Sequence, residues 1–190
     1  HGWLVTEWWG ILGLIGWGYL VAAFVYVAAR NNIFYTLAAF FFFLTLNILS
    51  GLNLLDVRGL AGTIFGTVIQ GNVPLIVLAG LATALIMKKL SERQSEKFII
   101  ITIIAGAVSI GAGFFLRRWF IISKIEATPS WGLICNGISM IVFSLIYLVA
   151  DIKKHVKWAA VFKPAGENSL TTYLAPDILY FLIWSLSFPV

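Results

Sequence analysis

Charge is scarce in this sequence, and so are cysteine and histidine. Only 11% of the 190 residues are charged, 61% are hydrophobic, and the mean hydropathy is +0.96. A soluble domain carries about 25% charged residues, so a chain with this little polar surface belongs in lipid. The single Cys135 lies in an apolar run, which excludes a disulfide framework and a cysteine-built metal site. His1 is a chain end and His155 lies in the basic run "DIKKHVK". Neither has a carboxylate or serine companion at useful spacing, so no nucleophile–base pair and no metal site are expected. No charged n-region with a small-residue cleavage site precedes the first apolar run, so no signal peptide is expected. His1 in place of Met leads to the expectation that these residues are a piece of a longer protein.

What the sequence has in abundance is long apolar runs. A membrane span needs roughly 20 apolar residues, and six stretches qualify: Trp8–Ala29, Ile33–Leu49, Thr67–Met87, Phe98–Leu116, Trp131–Ala150 and Ser169–Phe188. The reading is an all-α fold, a polytopic membrane helical bundle with residues 1–190 as a single transmembrane domain. The first two spans are separated only by Arg30, Asn31 and Asn32, which predicts a tight helical hairpin. The third span is the weakest, broken by Gln70, Gly71, Asn72 and Pro74. Asn72 is a candidate helix cap with Pro74 in the first turn. That leaves Val73–Met87 as a short span and Leu60–Ile69 lying flat or re-entering.

The net charge of +5 comes from basic residues clustered between apolar segments, a pattern of cytoplasmic loops rather than of nucleic-acid binding. Counted on alternate sides, nine Lys and Arg fall on one side: Arg30, the Lys88–Lys97 loop and the Asp151–Lys163 loop. Four fall on the other: Arg58, Arg117, Arg118 and Lys124. The richer side is expected to be cytoplasmic. Trp3, Trp8 and Trp9, with Trp119, Trp131 and Trp158 near other span ends, fit interfacial belts.

Two constellations stand out. In "GENSLTTYLAPDILYF", Asn168 or Ser169 is placed to cap a helix start. Asp177 follows eight residues after Ser169, about 12 Å further along a helix at ~1.5 Å per residue and so near mid-bilayer. A carboxylate there costs on the order of 2.5–3.5 kcal/mol on insertion scales. Ser169, Tyr173, Asp177, Tyr180 and Trp184 share one helical face, which is expected to point into the protein. Pro176 leaves the Thr172 carbonyl without its usual helical partner. The plain alternative is a structural pairing of Asp177 with a neighbouring helix; the functional one is a lined cavity. The second constellation is Arg117, Arg118 and Lys124, on the side poor in basic residues. It reads either as interfacial anchoring by snorkelling or as a site for a phosphate or carboxylate, with Glu126 a competing partner.

Weaker signals surround these. Asn47 and Gln70 are expected to hydrogen-bond between helices. Gly10, Gly13, Gly16, Gly18, Gly106, Gly111 and Gly113 suggest close helix packing, and the phenylalanines at 40–43 suggest lipid-facing bulk.

Three stretches together, "WWGILGLIGWGYLV", "IISKIEATPSWGL" and "KPAGENSLTTYLAPDIL", resemble the transmembrane acetyltransferase family of heparan-α-glucosaminide N-acetyltransferase and its bacterial relatives. The most distinctive part is Pro164, Gly166, Asn168, Ser169, Tyr173 and Asp177. The resemblance implies an enzyme that moves an acetyl group from acetyl-CoA to a sugar or glycan acceptor across the membrane. It implies that this chain is the C-terminal half, with the catalytic His in the missing N-terminal half, in an H-x-x-W-x-G-L-type stretch that does not occur here. No catalytic residue is therefore assigned. Asn168, Ser169, Tyr173 and Asp177 are the expected lining of the substrate slot, and Arg117, Arg118 and Lys124 the expected holders of a phosphate or an acidic sugar. Expected partners are the bilayer, the acceptor and the missing half, and a homo-oligomer is compatible with all of these.

Two other classes fit the same residues. A secondary transporter uses a kinked helix and an interrupted span to bind substrate at mid-membrane. A non-catalytic membrane subunit fits if Asp177 is merely paired.

Overall fold

The computed structural model describes residues 10–55, 59–90 and 94–186. His1, Trp3, Trp8, Trp9, Asp56, Arg58, Arg93 and Phe188 lie outside the described residues. Helices dominate and no strand occurs among the described residues. They are α1 (Gly10–Ala29), α2 (Ile33–Gly51), α3 (Leu60–Ile69), α4 (Asn72–Leu90), α5 (Ser95–Leu116), α6 (Pro129–Tyr147), α7 (Lys163–Glu167) and α8 (Ser169–Leu186). A π-turn at Leu148–Ile152 and a 3-10 turn at Lys157–Val161 lie between α6 and α7. Among the described residues five helices are long and apolar enough to cross a membrane: α1, α2, α4, α5 and α6 with its π-turn; α8, which covers most of the sixth span expected from the sequence, is not one of them. The protein is a multi-pass helical membrane protein. The chain forms two compact units, His1–Ile146 and Tyr147–Val190.

In the first unit, the hairpin between α1 and α2 forms where the sequence has residues tolerant of left-handed backbone. Arg30 and Asn31 adopt φ of 48° and 66°, a region that Asn visits more readily than most residues. Asn32 then caps α2, its side chain accepting the Phe34 N–H at 2.9 Å.

The span that reads as weakest in sequence is the centre of the bundle. α4 runs a full 19 residues, longer than the short span expected, and packs against α1, α2, α3 and α5. Leu75 and Leu78 are fully buried, forming a core with Ala22 of α1 and Phe43 of α2. A helix surrounded by protein can carry Asn72 and Thr83, because their polar groups find partners inside the fold. Asn72 opens α4 but does not cap it; its side chain is used elsewhere. Gly71, at φ 74°, makes the turn out of α3, and a Cβ there would press on the Phe43 carbonyl and the Asn47 N–H. α3 packs on α1, α2 and α4, with Phe65 edge-on to Trp17 at 5.6 Å.

Two sequence expectations need correction. Phe41 and Phe42 face outward, but Phe43 turns into the core, because four consecutive helical residues point around the whole circumference. Of the glycines, Gly18, Gly106 and Gly113 do sit at close approaches, whereas Gly16 and Gly111 face open space.

The bundle has two recognisable ends. At one, Asn31 and Asn32 share a cavity of about 750 Å³ with Lys88 and Lys89. At the other, the C-terminal Gly51 of α2 lies against the Phe120 ring, just beyond α5. The α1–α2 turn and the C-terminal end of α4 thus lie together, as alternate-side counting requires.

Candidate functional site

The second unit carries the first constellation. α8 starts at Ser169, as expected, and continues as a helix through Pro176 to Leu186. Asn168 does not cap it. Its Nδ2 donates to the Pro164 carbonyl at 3.2 Å, closing the short α7. The main-chain carbonyl of Asn168 instead accepts the N–H and the hydroxyl of Thr172, at 2.9 and 3.1 Å. Spacings of four keep Ser169, Tyr173 and Asp177 on one face, and all three side chains are exposed. Asp177 has no ion pair or hydrogen bond among the described residues. The ion pair found in this unit, Lys163 with Glu167 at 3.6 Å, is exposed and local to α7.

The second constellation lies in the first unit. Arg117 and Arg118 follow the last residue of α5, where cations complement the helix dipole. The Arg118 guanidinium lies 5.9 Å from the centre of the Phe115 ring, and Phe115 stacks edge-on with Trp119 at 5.3 Å. Glu126 pairs with none of Arg117, Arg118 and Lys124 among the described residues. All three cations are exposed, on a connection whose Ile121 and Ile125 are also uncovered. Aromatic and aliphatic bulk mixed with cations is the composition of an interfacial segment. The guanidinium and ammonium groups remain available to an anion.

The region's most ordered polar feature is a knot at the same end of the bundle. Asn47 Nδ2 donates to the Gln70 carbonyl at 2.8 Å and to the Ala127 carbonyl at 2.9 Å. Asn72 Nδ2 reaches the Thr128 carbonyl at 3.2 Å. The Thr128 hydroxyl meets Ser130 Oγ at 3.2 Å, and Ser130 Oγ donates to the Ile121 carbonyl at 2.9 Å. The expected Asn47–Gln70 contact is present, but it uses the Gln70 main chain, and the Gln70 side chain is exposed. These groups satisfy one another and hold the α3–α4 break and the start of α6 in place.

One residue escaped the sequence reading. Asn136, in the middle of α6, is only 5% exposed, and its Nδ2 has no hydrogen-bond partner among the described residues. The signal was a lone amide in the apolar run "WGLICNGISM", but periodicity alone does not separate a paired amide from an unpaired one. Compared with protein-family models, curated proteins and solved structures, the chain matches none.

Proposed function

We propose that this chain is part of a membrane-embedded acyltransferase that moves an acetyl group from acetyl-CoA to a sugar or glycan acceptor. The observation that carries the reading is Asp177, a carboxylate without a partner among the described residues, in the middle of an apolar helix. Such a group needs a cation, a polar partner or water, and a polar slot for a hydrophilic thioester and its acceptor supplies that need. Ser169 and Tyr173, on the same face, offer hydroxyls to a sugar or to the pantetheine amides. Asn168 stands at the mouth of that face. Arg117, Arg118 and Lys124 supply charge for a phosphate or an acidic sugar. The three stretches that resemble the acetyltransferase family include this face, and the proton-transferring base belongs to residues not in this chain. In this reading the Lys88–Lys97 and Asp151–Lys163 loops are cytoplasmic.

The transporter reading draws less support. The break between α3 and α4 would have to leave main-chain carbonyls for a substrate or ion, yet the Gln70 carbonyl is already taken by Asn47.

Asp177→Asn in the full-length protein tests the proposal, because it keeps shape and hydrogen-bonding capacity and removes only the charge. Expected is normal insertion and melting with loss of most acetyl transfer from acetyl-CoA. Tyr173→Phe is expected to give a milder loss, and Thr171→Ala, off that face, little effect. Full activity of Asp177→Asn, or a defect confined to folding, would overturn the reading.

A further inference from the structure

The cavity of about 750 Å³ at the Lys88 end of the first unit has two kinds of wall. Its rim is polar: Asn31 and Asn32 in the α1–α2 turn, with Lys88 and Lys89 in the last turn of α4. Its floor is apolar, built from Phe34 of α2, Leu85 and Ile86 of α4, and Ile101 of α5. The two are stacked in depth. Leu85 precedes Lys89 by four residues, and Ile101 follows the start of α5 by six. At ~1.5 Å per residue the floor lies about 6–9 Å further into the membrane than the rim. Phe34 and Ile101 are exposed on the flank of the bundle, where a multi-pass protein meets lipid.

Charge at this end is one-sided. Arg30, Lys88, Lys89 and Lys97 stand against Glu96 among the described residues of the two connections, and the intervening Glu92 and Arg93 sum to zero. Lys88 and Lys89 are exposed and form no ion pair or hydrogen bond among the described residues. Asn32 uses its side-chain carbonyl on the Phe34 N–H at 2.9 Å, which leaves its Nδ2 as a donor at the rim. The dipole of α4 explains cations in its last turn. It does not explain an apolar groove directly beneath them. A soluble anion would use the rim alone, whereas an anion carried on hydrocarbon chains uses both walls at the depths where they lie.

We infer that this cavity is a binding site for an anionic phospholipid. Lys88 and Lys89 hold the phosphate, the Asn31 and Asn32 amides donate to the headgroup, and an acyl chain runs over Phe34, Ile86 and Ile101. Basic pockets between spans are suited to such headgroups. The site stands independently of the acyl-transfer reading, since it involves none of Asp177, Arg117, Arg118 and Lys124.

The test titrates full-length protein in detergent with phosphatidylglycerol or with phosphatidylcholine of the same chains, read by native mass spectrometry. Expected is saturable binding of phosphatidylglycerol, about tenfold tighter than phosphatidylcholine. Lys88→Gln with Lys89→Gln should abolish that preference while Tm stays unchanged. Lys153→Gln with Lys154→Gln, in the other basic connection, should leave it intact. Ile101→Trp, which fills the floor and keeps every charge, should weaken binding of both lipids. Glycerol phosphate, a headgroup without chains, should not compete at equal concentration. Should Ile101→Trp not fold, that competition alone decides between a lipid and a soluble anion. Equal affinity for the two lipids, a preference that survives the Lys88 and Lys89 replacements, or one lost equally with Lys153 and Lys154 would overturn the inference. So would full competition by glycerol phosphate, or a folded Ile101→Trp that binds as the unaltered protein does.

Discussion

Asn47 and Asn72 are joined side chain to side chain, Asn72 Nδ2 donating to Asn47 Oδ1 across 3.4 Å, although 25 positions separate them in sequence. Asn47 is only 3% exposed and Asn72 only 2%. Through its two further bonds, Asn47 ties the end of α2 to the α3–α4 turn and to the residue before Thr128. Replacing it by Ala leaves the Gln70 and Ala127 carbonyls without partners, while Asn72 Nδ2 keeps only the Thr128 carbonyl. Each such buried group costs about 1–3 kcal/mol, so Asn47→Ala is expected to destabilise by about 3 kcal/mol. Asn47→Asp keeps the shape but turns a donor into an acceptor facing two carbonyls, and should be worse. Chemical denaturation in detergent micelles measures both. An Asp variant as stable as the unaltered protein would show that the knot contributes little.

α5 and α6 meet backbone to backbone. A Cβ at Gly106 would lie 2.8 Å from the Gly137 carbonyl, and one at Gly137 would press on the Gly106 carbonyl and on Ile110. Gly106→Leu and Gly137→Val are therefore expected to force the helices apart and lower Tm sharply. Gly111→Ala, on the open side of the same helix, should be neutral or stabilise by up to about 1 kcal/mol, because Ala costs less backbone entropy. Equal responses at Gly106 and Gly111 would contradict this packing.

The anion-holding role proposed for the Arg117–Lys124 segment is separable from interfacial anchoring. Arg117→Gln with Arg118→Gln is expected to weaken donor or substrate binding in full-length protein about tenfold while Tm barely moves. Arg118→Lys should be only partly tolerated if the contact is bidentate. A fall in Tm with no separate binding defect would assign these residues to membrane anchoring alone.

Orientation is checked by cysteine labelling in a variant lacking Cys135. Cysteines at positions 89 and 157 are expected to react with an impermeant reagent only from the cytoplasmic side, and one at position 124 only from outside. The reverse pattern would invert the orientation, and equal labelling of 89 and 124 would mean that a span is miscounted.

Composition and hydropathy were enough to establish the membrane class and the helical architecture, and residues at the breaks were enough to place them. Arg30–Asn32 and Gly71 mark turns because only a few residue types accept left-handed backbone, and that preference is local. That Ser169, Tyr173 and Asp177 share one helical face was legible for the same reason, since helical spacing is a property of neighbours in sequence. The inward orientation expected for that face is not seen, as all three are exposed. Which helix lies at the centre was not local. α4 looked weakest because hydropathy scores its Asn72 and Thr83 against lipid, whereas packing gives them partners on α2, on the turn before α6 and within α4 itself. Asn136 shows the converse: its amide sits in an apolar run like any other polar residue, and only the placement of α4 and α5 around it left its N–H₂ without an acceptor. Pairing of buried polar groups depends on which segments meet across long stretches of chain, and tertiary packing alone determines that.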